Sequence, residues 1–141
     1  IPIANAVGLK KLFDVLVDDN DGGAALFHCT AGKDRTGIAG ALIMKALNIS
    51  EDDIFADFLL TNEAVDIAAT SAHYASLMSE RAGRTIAPEA VHPLVGVEPD
   101  FLKAAFAIMA HEYGSVDTYL TDGMGLTPAR REKLQARLLE D

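Results

Sequence analysis

The chain has 141 residues, half of them hydrophobic and under a quarter charged, which suffices for one domain with a core and excludes a disordered chain. A net charge of −9 argues against a nucleic-acid binder and against long-range attraction to anionic membranes. The single cysteine excludes an internal disulfide and suits a reducing compartment, so the expected location is cytoplasmic, with signal-less export as the alternative.

Residues 1–20 read as a helix, with Leu9, Leu12, Phe13 and Leu16 at i, i+3, i+4 and i+7. Asp18-Asp19-Asn20-Asp21-Gly22-Gly23 is a stop signal. Residues 24–28 form the one clear strand, short and apolar without alternation, the pattern of a strand buried on both faces. Residues 35–47 are the next helix, apolar on nearly all sides and therefore expected to be central, with Gly37 and Gly40 allowing close packing and Asn48 ending it. Within it, residues 38–44 are the longest glycine-tolerant apolar run, far short of the ~20 residues of a membrane span.

Ser50-Glu51-Asp52-Asp53 resembles a capping box, opening a third helix with an inner stripe of Ile54, Phe55, Phe58 and Leu59. Residues 61–81 stay helical but alanine-rich, with Tyr74, Leu77 and Met78 as the larger groups, and read as a lid or a surface helix. Residues 83–93 connect, Pro88 opening a short helical turn. Pro99 stands at the first position of a helix that runs to Tyr113 and stops at Gly114. Ser115 caps a short helix to Thr121, Gly123 and Gly125 make a loop, and Thr127-Pro128 opens a last helix to Leu139. Arg130, Arg131, Lys133 and Arg137 on that helix read as a solvated face.

The chemistry concentrates in Phe27-His28-Cys29-Thr30-Ala31-Gly32-Lys33-Asp34-Arg35-Thr36-Gly37, a tight turn between strand and helix with a thiol at one end and a guanidinium six positions later. Such a turn at a helix N-terminus points several backbone N–H groups at one spot, and with the helix dipole makes an anion site. Gly32 permits close backbone approach or φ > 0, and Arg35 can grip two phosphate oxygens at once. The field that binds phosphate at residues 30–35 also lowers a thiol pKa, from about 8.5 toward roughly 3.5–7.5. Cys29 is then a thiolate beneath a phosphorus atom, poised to form and release a cysteinyl-phosphate.

Thr36 can hydrogen-bond the thiolate, and His28 can orient the loop through a backbone bond. Asp34 should repel phosphate. It makes sense as a general acid on the leaving oxygen, or as a tether of the loop through a salt bridge. Lys33 offsets that charge and can add a contact to substrate. A Walker loop fails because Phe27 stands at its first glycine and Asp34 at its Ser/Thr. A zinc site fails because His73, His92 and His111 are scattered singly. No metal or cofactor is expected.

His28-Cys29-x-x-Gly32-Lys33-Asp34-Arg35-Thr36-Gly37 resembles the signature of the cysteine-dependent protein tyrosine phosphatases. The Lys-Asp pair is similar to that of a bacterial and fungal branch of tyrosine/serine phosphatases with dual-specificity and phosphoinositide activity. Asp57-Phe58-Leu59-Leu60-Thr61-Asn62, Val95-Gly96-Val97-Glu98-Pro99-Asp100-Phe101-Leu102 and Tyr113-Gly114-Ser115-Val116-Asp117-Thr118-Tyr119-Leu120 match the same branch. The resemblance implies Cys29 as nucleophile, Arg35 as phosphate clamp, Asp34 as acid and a helical lid. It also implies an α/β fold, a phosphatase-type parallel-sheet core flanked by helices.

One strand cannot satisfy its own backbone groups. The remaining candidate, residues 91–97, is broken by Pro93 and Gly96. The expectation is therefore one phosphatase domain over residues 1–141, the mostly helical C-terminal part of a longer protein, its sheet completed by an upstream segment or a second chain. The expected substrates are a phosphorylated protein or a phosphoinositide. Two other readings use the same loop: sulfur or oxyanion transfer of the rhodanese or arsenate-reductase kind, and a phospholigand-binding module without turnover. A resolving cysteine for the former is absent, and a mere binder needs no thiol.

Overall fold

The computed structural model describes residues 5–18 and 23–139. The expected helix start at residues 1–4 and the turn at 19–22 lie outside them. The described chain is all-helical: α1 (Ala6–Asp18), α2 (Asp34–Ala46), α3 (Glu51–Leu59), α4 (Thr61–Ala64), α5 (Ile67–Ala82), α6 (His92–Val95), α7 (Pro99–Tyr113), α8 (Val116–Thr118) and α9 (Pro128–Leu138). A 3₁₀ turn, Pro88–Val91, precedes α6, and a π turn, Tyr119–Gly123, follows α8.

The expectation of an α/β chain with a parallel-sheet core is overturned. Among the described residues there is no strand, and residues 23–29 are irregular chain between α1 and α2. A strand exists only through ladder bonds to a neighbour, and residues 24–28 have none here. Their apolar composition does not bury them either, for Leu26 is 92% exposed. Apolar side chains are buried only where another surface covers them.

The helices start where the sequence signals lie. Ser50 accepts from the Asp53 amide, Ser115 from the Thr118 amide and Thr127 from the Arg130 amide, satisfying donors that the first turn leaves over. Residues 61–81 are not one helix: the chain breaks at Val65, and Asp66 caps α5 by accepting from the Ala69 amide at 2.9 Å. Asn48 ends α2 in the left-handed region with φ 60°.

One core gathers α1, α2, α3, α7, the π turn and α9 around Phe13, Leu42, Ile54, Leu102, Met109 and Leu134. The packing of α2 on α3 is close because position 37 is glycine: a Cβ there would stand 2.6 Å from Phe58 Cε2. A second, smaller cluster of Ala75, Val91 and Val95 binds α5 to the 3₁₀ turn and α6. The helix expected as a lid thus packs on the segment that follows it.

Arg130 and Arg131 of α9 are clamps, correcting the solvated-face expectation for those two, while Lys133 and Arg137 are exposed. Arg131 donates from Nε to Ala46 O (2.8 Å) and from Nη2 to Lys45 O (2.7 Å), and Gln135 adds a bond to Ala46 O (3.0 Å). Ala46 O is a carbonyl for which the end of α2 has no backbone donor, Lys45 O also accepts from the Asn48 amide at 3.1 Å, and a cation there suits the helix dipole. Arg130 bridges to Asp14 and Asp18 of α1, both at 2.7 Å. Lys10 first, then Arg130, holds the Asp14 carboxyl below its ordinary range.

Candidate active site

The irregular segment 23–29 delivers Cys29 to the N-terminus of α2, and residues 30–33 turn the chain into that helix. Gly32 makes the turn in the left-handed region, φ 71°. Its amide then donates to Cys29 Sγ at 3.2 Å. Lys33 is the N-cap of α2 and gives no side-chain cap bond, so the first-turn amides are not satisfied from that side.

The thiol is pulled from an ordinary value near 9 down to about 6. The largest cause is the Thr36 hydroxyl, followed among the lowering influences by the amides of Thr36, Gly32 and Ala31, against a burial effect that raises it. The Thr36 hydroxyl is itself buried and lacks a well-formed bond in the resting arrangement. Both facts fit a donor that completes its bond when the neighbouring sulfur carries charge.

Arg35 lies one helical residue before Thr36, exposed, its Nη2 donating to Thr30 Oγ1 at 3.0 Å. That bond bends the guanidinium back over the loop. His28 Nδ1 lies 3.1 Å from Cys29 O, the backbone bond expected of it. Cys29 and Arg35 share a cavity of about 230 Å³ whose walls include Leu9 and Leu12 of α1, Phe27 and Ile38. No residue of 61–97 lines it.

Lys33 and Asp34 form an ion pair at 3.2 Å, the tether the sequence left open. Lys33 is buried and reaches away from the loop, to Gly96 O at 2.9 Å and Pro93 O at 3.4 Å. Sequence reasoning missed the role of Asn62, which donates to Val97 O and accepts from Val97 N, each at 2.9 Å. Two partners 35 residues away in the chain leave no local signal. His73, His92 and His111 are exposed, and no metal-holding cluster of three His, Cys, Asp or Glu occurs among the described residues. Nor is any helix among them long and apolar enough to cross a membrane.

Residues 1–140 match the model of a tyrosine phosphatase family. Over 109 residues the chain is 37% identical to a provisionally named tyrosine-protein phosphatase of Cupriavidus necator, covering 77% of this chain and 38% of that protein. It is 33% identical over 126 residues to the triple specificity protein phosphatase PtpB of Mycobacterium tuberculosis, covering 84% of this chain and 45% of the relative. It is 30% identical over 139 residues to a tyrosine-protein phosphatase of Nostoc commune, 92% of this chain and 43% of the relative. The chain spans less than half the length of each of these three.

Proposed function

Because this chain belongs to the tyrosine phosphatase family, we propose that it hydrolyses phosphate monoesters, phosphotyrosine above all, through a cysteinyl-phosphate intermediate on Cys29. The observation that carries the reading is a thiol held near pKa 6, facing the same cavity as Arg35 at a helix N-terminus.

The substrate phosphate sits on the amides of residues 30–35, and Arg35 leaves Thr30 to grip two of its oxygens. The Cys29 sulfur forms an S–P bond as the ester O–P bond breaks, and the leaving oxygen takes a proton that the Asp34 carboxylate relays from water. Water then attacks phosphorus, gives its proton to Asp34, and releases inorganic phosphate and the thiolate. Thr36 donates to sulfur as the sulfur carries charge, which stabilises it both as nucleophile and as leaving group. The apolar walls beside Cys29, Leu9, Leu12, Phe27 and Ile38, favour an aryl ring over the polyhydroxylated ring of a phosphoinositide. Phosphoserine, phosphothreonine and phosphoinositides form the wider range.

Vanadate-sensitive hydrolysis of p-nitrophenyl phosphate by the full-length protein tests this. Cys29→Ser and Arg35→Met should each abolish it. Undiminished turnover in Cys29→Ser would reject the nucleophile.

A further inference from the structure

One buried side chain joins the loop at the N-terminus of α2 to α6 and the residue that follows it. Lys33 is 8% exposed. Its ammonium donates to Gly96 O at 2.9 Å, to Pro93 O at 3.4 Å and to the Asp34 carboxylate at 3.2 Å. A lysine ammonium has three N–H bonds, so these acceptors take all of them. From the other side Asn62 grips both backbone groups of Val97. The space between is filled: a Cβ on Gly96 would lie 2.8 Å from Asn62 Oδ1 and 3.0 Å from Ile67 Cδ1. Residues 93–97 are thus held between the loop and α4.

We propose that Lys33 is a positioning residue of the phosphate site and not one of its ligands: it cancels the charge of Asp34 beside the anion loop and pins that loop to residues 93–97. The inference rests on the phosphate-site reading of the loop and deepens it. A free carboxylate next to bound phosphate repels it, and Asp34 has its counter-charge in the Lys33 ammonium. The donors that meet phosphate are then the amides and Arg35, with lysine behind them.

The test is binding of inorganic phosphate to the full-length protein by calorimetry at neutral pH, for wild type, Lys33→Met, Asp34→Asn and the double variant. Lys33→Met uncovers the Asp34 charge and should weaken phosphate binding on the order of tenfold. Adding Asp34→Asn removes that charge and should restore most of the lost affinity, a strong coupling in the double-mutant cycle. A double variant as weak as Lys33→Met would mean that the loss does not come from the uncovered Asp34 charge, and would overturn the proposal. Failure of the wild type to bind phosphate would instead remove the phosphate site on which it rests.

If Lys33→Met does not fold, lysine acylation of the wild type read by mass spectrometry decides the point. Lys33 should resist the reagent equally with and without phosphate, because its three N–H bonds are engaged in both. Labelling in the free protein that phosphate suppresses would overturn the proposal.

Discussion

The sulfur of Cys29 accepts the Gly32 amide at 3.2 Å, and Gly32 presents that amide with a φ of 71°. A Cβ at position 32 would meet nothing within 4 Å, so substitution there acts through backbone conformation alone. Gly32→Ala should cost about 1–2 kcal/mol in holding the turn. It should also move the alkylation midpoint of Cys29 upward, read as iodoacetamide rate against pH. An unchanged midpoint would show that the amide does not stabilise the thiolate.

Thr36 exerts the largest downward pull on the same thiol. Thr36→Val keeps the shape and removes the hydroxyl, so the midpoint should rise from about 6 toward the ordinary value near 9. The sign of the linkage follows. The folded-state pKa is depressed, so the thiolate contributes stability that is complete above the unfolded pKa near 9 and is lost as pH falls through about 6. Between those two values the wild type should gain stability with rising pH relative to Cys29→Ser, and denaturant midpoints measured across the window check it. Parallel curves for the two proteins would contradict the depressed thiol.

Gly37 and Phe58 hold α2 against α3 at a separation that leaves no room for a methyl group. Gly37→Ala should destabilise by about 1–3 kcal/mol through overpacking. Because the obstructing atoms belong to a side chain, Phe58→Leu should recover part of that loss. Thermal unfolding of the two single variants and the double measures the recovery, and simple additivity would sink the contact argument.

Arg131 restrains the far end of the helix whose N-terminus carries the site. Arg131→Met leaves the Lys45 and Ala46 carbonyls without the guanidinium and should cost about 2–3 kcal/mol. Its denaturant midpoint should fall while the Cys29 alkylation midpoint stays in place. A change in the alkylation midpoint as large as that of Thr36→Val would show that α2 transmits the damage to the loop.

What the sequence disclosed was what short-range chemistry determines. The thiol, the glycine and the arginine lie within seven residues, and Ser50, Pro99, Ser115 and Thr127 each mark a helix start by bonds or sterics inside one turn. Residues 24–28 misled because strand composition describes what a strand would bury, whereas a strand forms only with a partner. Arg130 and Arg131 looked solvated because their partners stand between 85 and 116 positions away for the bonds to Ala46 and Asp14. The carbonyl partners of Lys33 were hidden for the same reason, since Pro93 and Gly96 are 60 and 63 residues on. The break before α5 was hidden by alanines that suit a helix on either side of Asp66.

The most direct measurement is acid-quench mass spectrometry of the full-length protein turning over p-nitrophenyl phosphate. The Cys29 peptide should carry the mass of one phosphoryl group during steady-state turnover and lose it when substrate is exhausted. Sustained hydrolysis with no phosphoryl group on Cys29, or with the group on another residue, would contradict the account.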